Sequence, residues 1–256
     1  MSRQQSRGLE VLIFEVVNWD LGLTLGVAFF ASFMTAYAGF GGALIMVPLF
    51  TFLIGPIQAI ALTAISGAFA YTHLIPAFIK HAHWPELGPV AIGLLVSISI
   101  GSHFLVEMDP MVVRFGMGVF ILFAATLLIS KYRYSGPRGS FTSLIVGGLT
   151  GGIVGGAGVP AAPILVIFFL AARQAVGVQR ANIIVSIWLL LMIMLANLLL
   201  RGTVNSETFI KAIFVVPLSI LGSLAGQYAF KRVPLAWFKH VAHWLLVSIG
   251  LSLLFV

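Results

Sequence analysis

The chain has 256 residues, of which 60% are apolar and 8% are charged, and its mean hydropathy is +1.11. Its 14 basic and 7 acidic side chains cannot cover a soluble globule of this size, because soluble domains carry roughly a quarter charged residues. Composition therefore excludes a soluble domain and a disordered chain and implies an integral membrane protein. The net charge of +7 is of the kind cytoplasmic loops produce and calls for no nucleic-acid partner. Cysteine is absent, so disulfides, iron–sulfur clusters and thiol catalysis are ruled out.

Residues 1–20 read as an amphipathic lead-in. Arg3 and Arg7 precede an apolar patch, but Glu10, Glu15 and Asp20 interrupt it as no cleavable signal would be. Apolar segments follow at Leu21–Ala38, Ala43–Ile54, Ile57–Ile79, Leu87–Val106, Met111–Ser130, Thr142–Val154, Ala161–Ala172, Ala175–Leu200, Phe209–Phe230 and Ala236–Val256. Several approach 20 residues and none alternates like a barrel strand, so the spans are helical. Ala43–Ile54, Thr142–Val154 and Ala161–Ala172 are too short to cross a core that needs about 20 residues. Each adjoins a glycine or proline break, Gly39-Phe40-Gly41-Gly42 in the first half and Gly155-Gly156-Ala157-Gly158-Val159-Pro160 in the second.

Taking each broken element as a hairpin that enters and leaves on one face, Lys80, Lys131, Arg133, Arg138, Arg173, Lys231, Arg232 and Lys239 share one side with Glu86. The other side holds Arg3, Arg7, Arg114, Arg201 and Lys211 with Glu10, Glu15, Asp20, Glu107, Asp109 and Glu207. The basic excess puts the first side in the cytoplasm of a cell inner (plasma) membrane and both termini outside. The expected fold is an all-α polytopic membrane protein of two inverted repeats, residues 21–130 and 141–256, joined by a polar cytoplasmic linker at 131–140. Each repeat is a broken hairpin plus three transmembrane helices. A shift of 115 places Pro48 on Pro163, and an odd number of crossings per half inverts the second. Inverted repeats with discontinuous helices mark transporters with a site near the bilayer midplane. The freed backbone groups there need a cavity or a solute, since lipid cannot satisfy them. The competing reading of the glycines is close helix packing.

Gly39-Phe-Gly-Gly-Ala-Leu-Ile-Met-Val-Pro48 and its second copy, Gly155-Gly-Ala-Gly-Val-Pro160 followed by Gln179-Arg-Ala-Asn182, resemble the two motifs of the sulfite exporter TauE/SafE family over about residues 21–256. The resemblance implies a membrane transporter of small sulfur-containing oxyanions, such as sulfite, sulfoacetate, other organosulfonates or thiosulfate, most often by export. Where the family's second motif often reads Gly-Gly-Pro-Pro, this chain has Gly158-Val159-Pro160-Ala161, so no single substrate is carried over.

The expected substrate site comprises Gly39, Gly41, Gly42, Thr63, Ser66, Gly155, Gly156, Gly158, Gln179, Arg180 and Asn182. Arg180 is the sharpest candidate. A planar guanidinium grips two oxygens of a sulfonate, and its alternative is to snorkel to the surface. Asn182 either donates to an oxyanion or ties helices together. The Thr63 and Ser66 hydroxyls either face the site or bond back to helix carbonyls. His73 is the candidate proton carrier. His103 with Glu107 reads as an interfacial pair at the outer end of a span, and no His/Asp/Glu spacing suggests a metal. No cofactor is expected. The partners are a small anion and the lipid bilayer, with oligomerisation left open. Ser66 and His73 stand about 10 Å apart along one helix, too far to form a nucleophile–base pair, so an intramembrane hydrolase is disfavoured. A passive channel or an uptake permease for another small anion is the alternative, and an assembly factor would leave the helix breaks without a purpose.

Overall fold

The computed structural model describes residues 19–38, 41–72, 74–130, 134–230, 244 and 247–254, and all regular structure among them is helical. The elements are α1 (Trp19–Ala38), α2 (Gly42–Ile54), α3 (Pro56–Thr72), α4 (Ile75–Phe78, continued by a 3-10 turn at Ile79–His81), α5 (Trp84–Glu107) and α6 (Pro110–Ile129) in the first half. The second half has α7 (Ser140–Ala157), α8 (Ala162–Leu170), α9 (Val176–Leu200) and α10 (Ser206–Phe230); residues 247–254 are again helical. Among the described residues, α1, α5, α6, α7, α9 and α10 are each long and apolar enough to cross a membrane. The protein is thus an all-α polytopic membrane protein. Its outer surface is apolar, with Ile92, Leu95, Phe104, Phe115 and Phe123 exposed, as a lipid-facing surface requires.

Local chemistry sets most boundaries. Pro56 and Pro110 open α3 and α6, where a missing N–H costs no helix bond. Asp109 caps α6 by accepting from the Met111 amide at 2.7 Å. The expected span Ile57–Ile79 is instead two helices bent by 56°. Pro76 accounts for this, because its ring clashes with the carbonyl four residues earlier, that of Thr72, where α3 ends. Thr142–Val154, expected as half-length, lies within the 18-residue α7. The helix runs through Gly151, Gly152, Gly155 and Gly156, and the half-length helices beside the glycine breaks are α2, with 13 residues, and α8, with 9.

Gly147, Gly151 and Gly155 form the face of α7 that lies directly on α5. A Cβ on Gly147 would strike the Val90 backbone, one on Gly151 the Ser97 hydroxyl and the Leu94 carbonyl, and one on Gly155 the Cα of Ile98 at 2.8 Å. The row advances by four residues on both helices, so α5 and α7 run parallel. α10 meets α1 in the same way: Gly222 sits on the Phe29 carbonyl and Gly226 on that of Phe33. Small residues that let membrane helices approach at backbone distance are the usual basis of such association. α5–α7 and α1–α10 are the two most extensive helix contacts, and both join the first half to the second. Between them lie α3 and α9, in contact with each other, and the buried short helices α2 and α8, whose Leu44, Phe50, Phe168 and Phe169 are enclosed.

Candidate functional site

A positive-φ glycine precedes each of the two short helices, as the N-cap of α2 in one case and as the C-cap of α7 in the other. Gly41 has φ +102° immediately before α2, and Gly158 has φ +64° shortly before α8. L-residues pay about 1–2 kcal/mol in that region, so glycine is required at both turns for its backbone. Gly42 is pressed against the Thr35 hydroxyl and the Ala31 carbonyl of α1. Gly39 lies outside the described residues, as does His73.

In the second half, Gly155 and Gly156 belong to α7 and face α5. A Cβ on Gly156 would have the Gly101 Cα at 3.8 Å. Gly158 closes α7 through its N–H to the Val154 carbonyl at 3.0 Å, and it lies among Ile60, Leu105 and Met117. Val159 and Ala161 are buried. Gly155 is therefore a packing residue, Gly158 a turn residue, and the surroundings of both are apolar.

α3 and α9 carry the hydroxyls. Ser66 Oγ donates to the Thr63 carbonyl at 3.2 Å, and Ser186 Oγ to the Ile183 carbonyl at 3.0 Å. Both serines are fully buried and bond back into their own helices, as hydroxyls in membrane helices commonly do. Thr63 differs: it is 4% exposed and its Oγ1 has no hydrogen-bond partner. A buried hydroxyl left unpaired costs about 1–3 kcal/mol, so Thr63 carries an unused donor inside the bundle.

Gln179 and Asn182 enter a network at the N-terminal ends of α9 and α5. The Asn182 amide oxygen accepts from the His83 backbone N–H at 2.8 Å, and its nitrogen donates to Gln174 Oε1 at 3.2 Å. Gln174 Nε2 reaches His83 Nδ1 at 3.0 Å and Glu86 Oε2 at 3.3 Å. Gln179 donates to the Ala172 carbonyl at 2.6 Å. Asn182 thus ties two helices, and both ends of its amide are engaged. Asn182→Ala should leave the part-buried His83 amide and the Gln174 side-chain oxygen without this partner, costing about 1 kcal/mol, the lower end of the range for buried groups. A thermal unfolding midpoint in detergent equal to that of wild type would contradict this.

Arg180 is exposed, its guanidinium 5.7 Å from the centre of the Phe78 ring, a cation–π contact. It does not meet Thr63, Ser66 or the glycines in any described contact. Two groups of residues in this region escaped the sequence reading. Arg138, from the linker, pairs with Glu86 at 3.2 Å and donates to the Phe168 carbonyl at the end of α8. The signal was available, since Glu86 is the lone acid that the sequence places among the cations of its side. At the opposite end, Gln58 on α3 accepts from Thr208 Oγ1 at 2.7 Å and donates to the Thr203 carbonyl at 2.9 Å. His103 and Glu107 approach to 3.7 Å at an exposed helix end, as expected.

The chain is 23% identical over 195 residues to a curated protein of Cupriavidus necator described as "Probable sulfite/organosulfonate exporter TauE", covering 70% of this chain and 72% of that relative. No solved structure matches. A family model described as "Sulfite exporter TauE/SafE" matches residues 24–253, nearly the whole of the helical bundle, and the chain therefore belongs to the TauE/SafE family of membrane transporters.

Proposed function

We propose that the protein exports a small sulfur-containing oxyanion, sulfite or an organosulfonate, through the plasma membrane, with its site between two inverted repeats. The observation that carries this reading is the pair of short buried helices, α2 and α8, each preceded by a break with a positive-φ glycine: Gly41 caps α2, and Gly158 ends α7 four residues before α8. The crossed pairing supports the repeats: α1 packs on α10 and α7 on α5, both parallel, with α3 against α9 between them. Two halves related by a pseudo-two-fold axis exchange contacts in this manner. The substrate class follows the family and the name of the Cupriavidus relative.

In this reading Gly41, Gly42 and Gly158 shape the turns that flank the site, and Thr63 supplies a free donor. Ser66 and Gly156 lie in its walls. Arg180, with Gln179 and Asn182 nearby, receives the anion at the cytoplasmic mouth, where an exposed guanidinium attracts it. An inside-negative potential drives an anion outward by about 2.3 kcal/mol per charge per 100 mV, so electrogenic export needs no acid embedded in the spans.

Proteoliposomes loaded with sulfite test this. Saturable efflux and counterflow with sulfoacetate or thiosulfate are expected, and folded protein that moves none of them would end the proposal. Efflux rising linearly with concentration would favour a channel. The absence of native cysteine makes orientation measurable. Ser135→Cys should react with an impermeant maleimide only from the cytoplasmic side and Glu107→Cys only from outside. The reverse pattern would invert the topology.

A further inference from the structure

At the opposite end of the molecule from Arg138, a polar cavity of about 270 Å³ is lined by Ile54, Gln58, Asn205, Glu207, Thr208 and Lys211. Lys211 lies in the second turn of α10 and is only 3% exposed. Its ammonium stands 2.6 Å from Glu207 Oε1, one turn earlier, and that carboxylate is half exposed. An ammonium has three donors, and Glu207 is the one acceptor that it meets among the described residues. Burial of a cation is unfavourable unless its donors are met, so this lysine borders a cavity with bonding capacity unused.

The rest of the wall suits the same ligand. The N-terminal end of the 25-residue α10 carries partial positive charge. Asn205 Oδ1 caps it through the Thr208 amide at 2.8 Å. Gln58 Oε1 accepts from Thr208 Oγ1 and from the Asn205 amide at 3.3 Å, which fixes the cavity wall across from α3. Among the described residues, the acid lining the cavity is the one already paired to Lys211.

We infer that this cavity is an exit station for the transported oxyanion, in which Lys211 binds the anion and Glu207 competes for the same ammonium. Glu207 swings towards solvent when the anion arrives and re-forms the ion pair when it leaves. An internal competitor of this kind weakens retention and favours release outward. The substrate and the direction rest on the function proposed above; the site itself rests on the buried lysine, the cavity and the exchangeable carboxylate.

The test is sulfite binding to the purified full-length protein by titration calorimetry, with sulfate and nitrate in parallel. Lys211→Gln should lower sulfite affinity at least tenfold. Glu207→Gln should raise it severalfold, because the competitor is gone. If the pair is merely structural, both variants lose thermal stability and neither changes affinity, and the inference fails. Should Lys211→Gln not fold, the sign of the Glu207→Gln effect decides alone: unchanged or weaker binding overturns the station. Nitrate binding that depends on Lys211, without sulfite or sulfate binding, would uphold the station and refute the sulfur-anion reading, and sulfate binding without sulfite binding would uphold the station and refute sulfite as the substrate. Wild-type protein that binds none of the three would refute both.

Discussion

Gly147→Ala and Gly155→Ala are expected to unfold the protein at markedly lower temperature, while Gly148→Ala and Gly152→Ala, on the same helix, are expected to leave it unchanged or slightly more stable. A Cβ on Gly147 would meet the Cα of Val90 at 2.8 Å, and one on Gly155 the Ile98 Cα and carbonyl at 2.8 and 2.9 Å. These are backbone atoms, which cannot rotate away as a side-chain end can. Each alanine must push α7 off α5 along the longest contact between the two halves. Overpacking of this kind costs about 1–3 kcal/mol per site. Gly148 and Gly152 have nothing within 4 Å of an added Cβ, and alanine there gains helix propensity of up to about 1 kcal/mol. Thermal unfolding in detergent separates the two pairs. Four equal midpoints would mean that the glycine row does not organise the α5–α7 contact.

This result bears on any transport assay of the motif. Gly155 stands in the sequence motif of the family, and a loss of flux in Gly155→Ala would invite assignment to the substrate site. Its neighbours say otherwise, because the variant loses helix packing first. Gly41 is the cleaner probe. An added Cβ there meets nothing within 4 Å, and only the φ of +102° penalises it.

The transmembrane helices were legible in the sequence because lipid imposes a length and a composition, and Met111–Ser130 and Ala175–Leu200 stand within a residue or two of α6 and α9. α7 was not, since the same glycines can break a helix or bring it against another. Only the partner decides between these, and the partner, α5, is remote in sequence. Asn182 shows the same limit. Its place on a helix face could be read, but the His83 amide that it accepts from lies 99 residues away. Arg180 was legible as a costly charge, and its exposure beside Phe78 depends on where α4 turns, which Pro76 sets.

Arg138→Ala should be the most damaging single change at the end of the bundle where α5 and α7 begin. The guanidinium contacts both Glu86 oxygens, at 3.2 and 3.4 Å, donates to the Phe168 carbonyl, and lies 4.6 Å over the Phe168 ring. It thereby fastens the linker, the start of α5 and the end of α8 together. The side chains of Arg138 and Glu86 are 22% and 12% exposed, so the pair is largely desolvated. Removing one member of a buried pair costs about 3–5 kcal/mol, chiefly because the other charge is left alone. Residual solvent access at Arg138 puts the expectation near the lower limit. Arg138→Lys should recover only part of it, because lysine keeps the charge but has neither the two nitrogens that bond Glu86 and the Phe168 carbonyl at once nor the planar group that lies over the Phe168 ring. Glu86→Ala should also be severe, and the double variant Glu86→Ala/Arg138→Ala should cost clearly less than the sum of the two, since no buried charge is then unpaired. A double-mutant cycle of unfolding midpoints measures this coupling. Strict additivity would show that Arg138 and Glu86 are held by their other contacts, and a fully stable Arg138→Lys would show that the linker needs only a cation at this position.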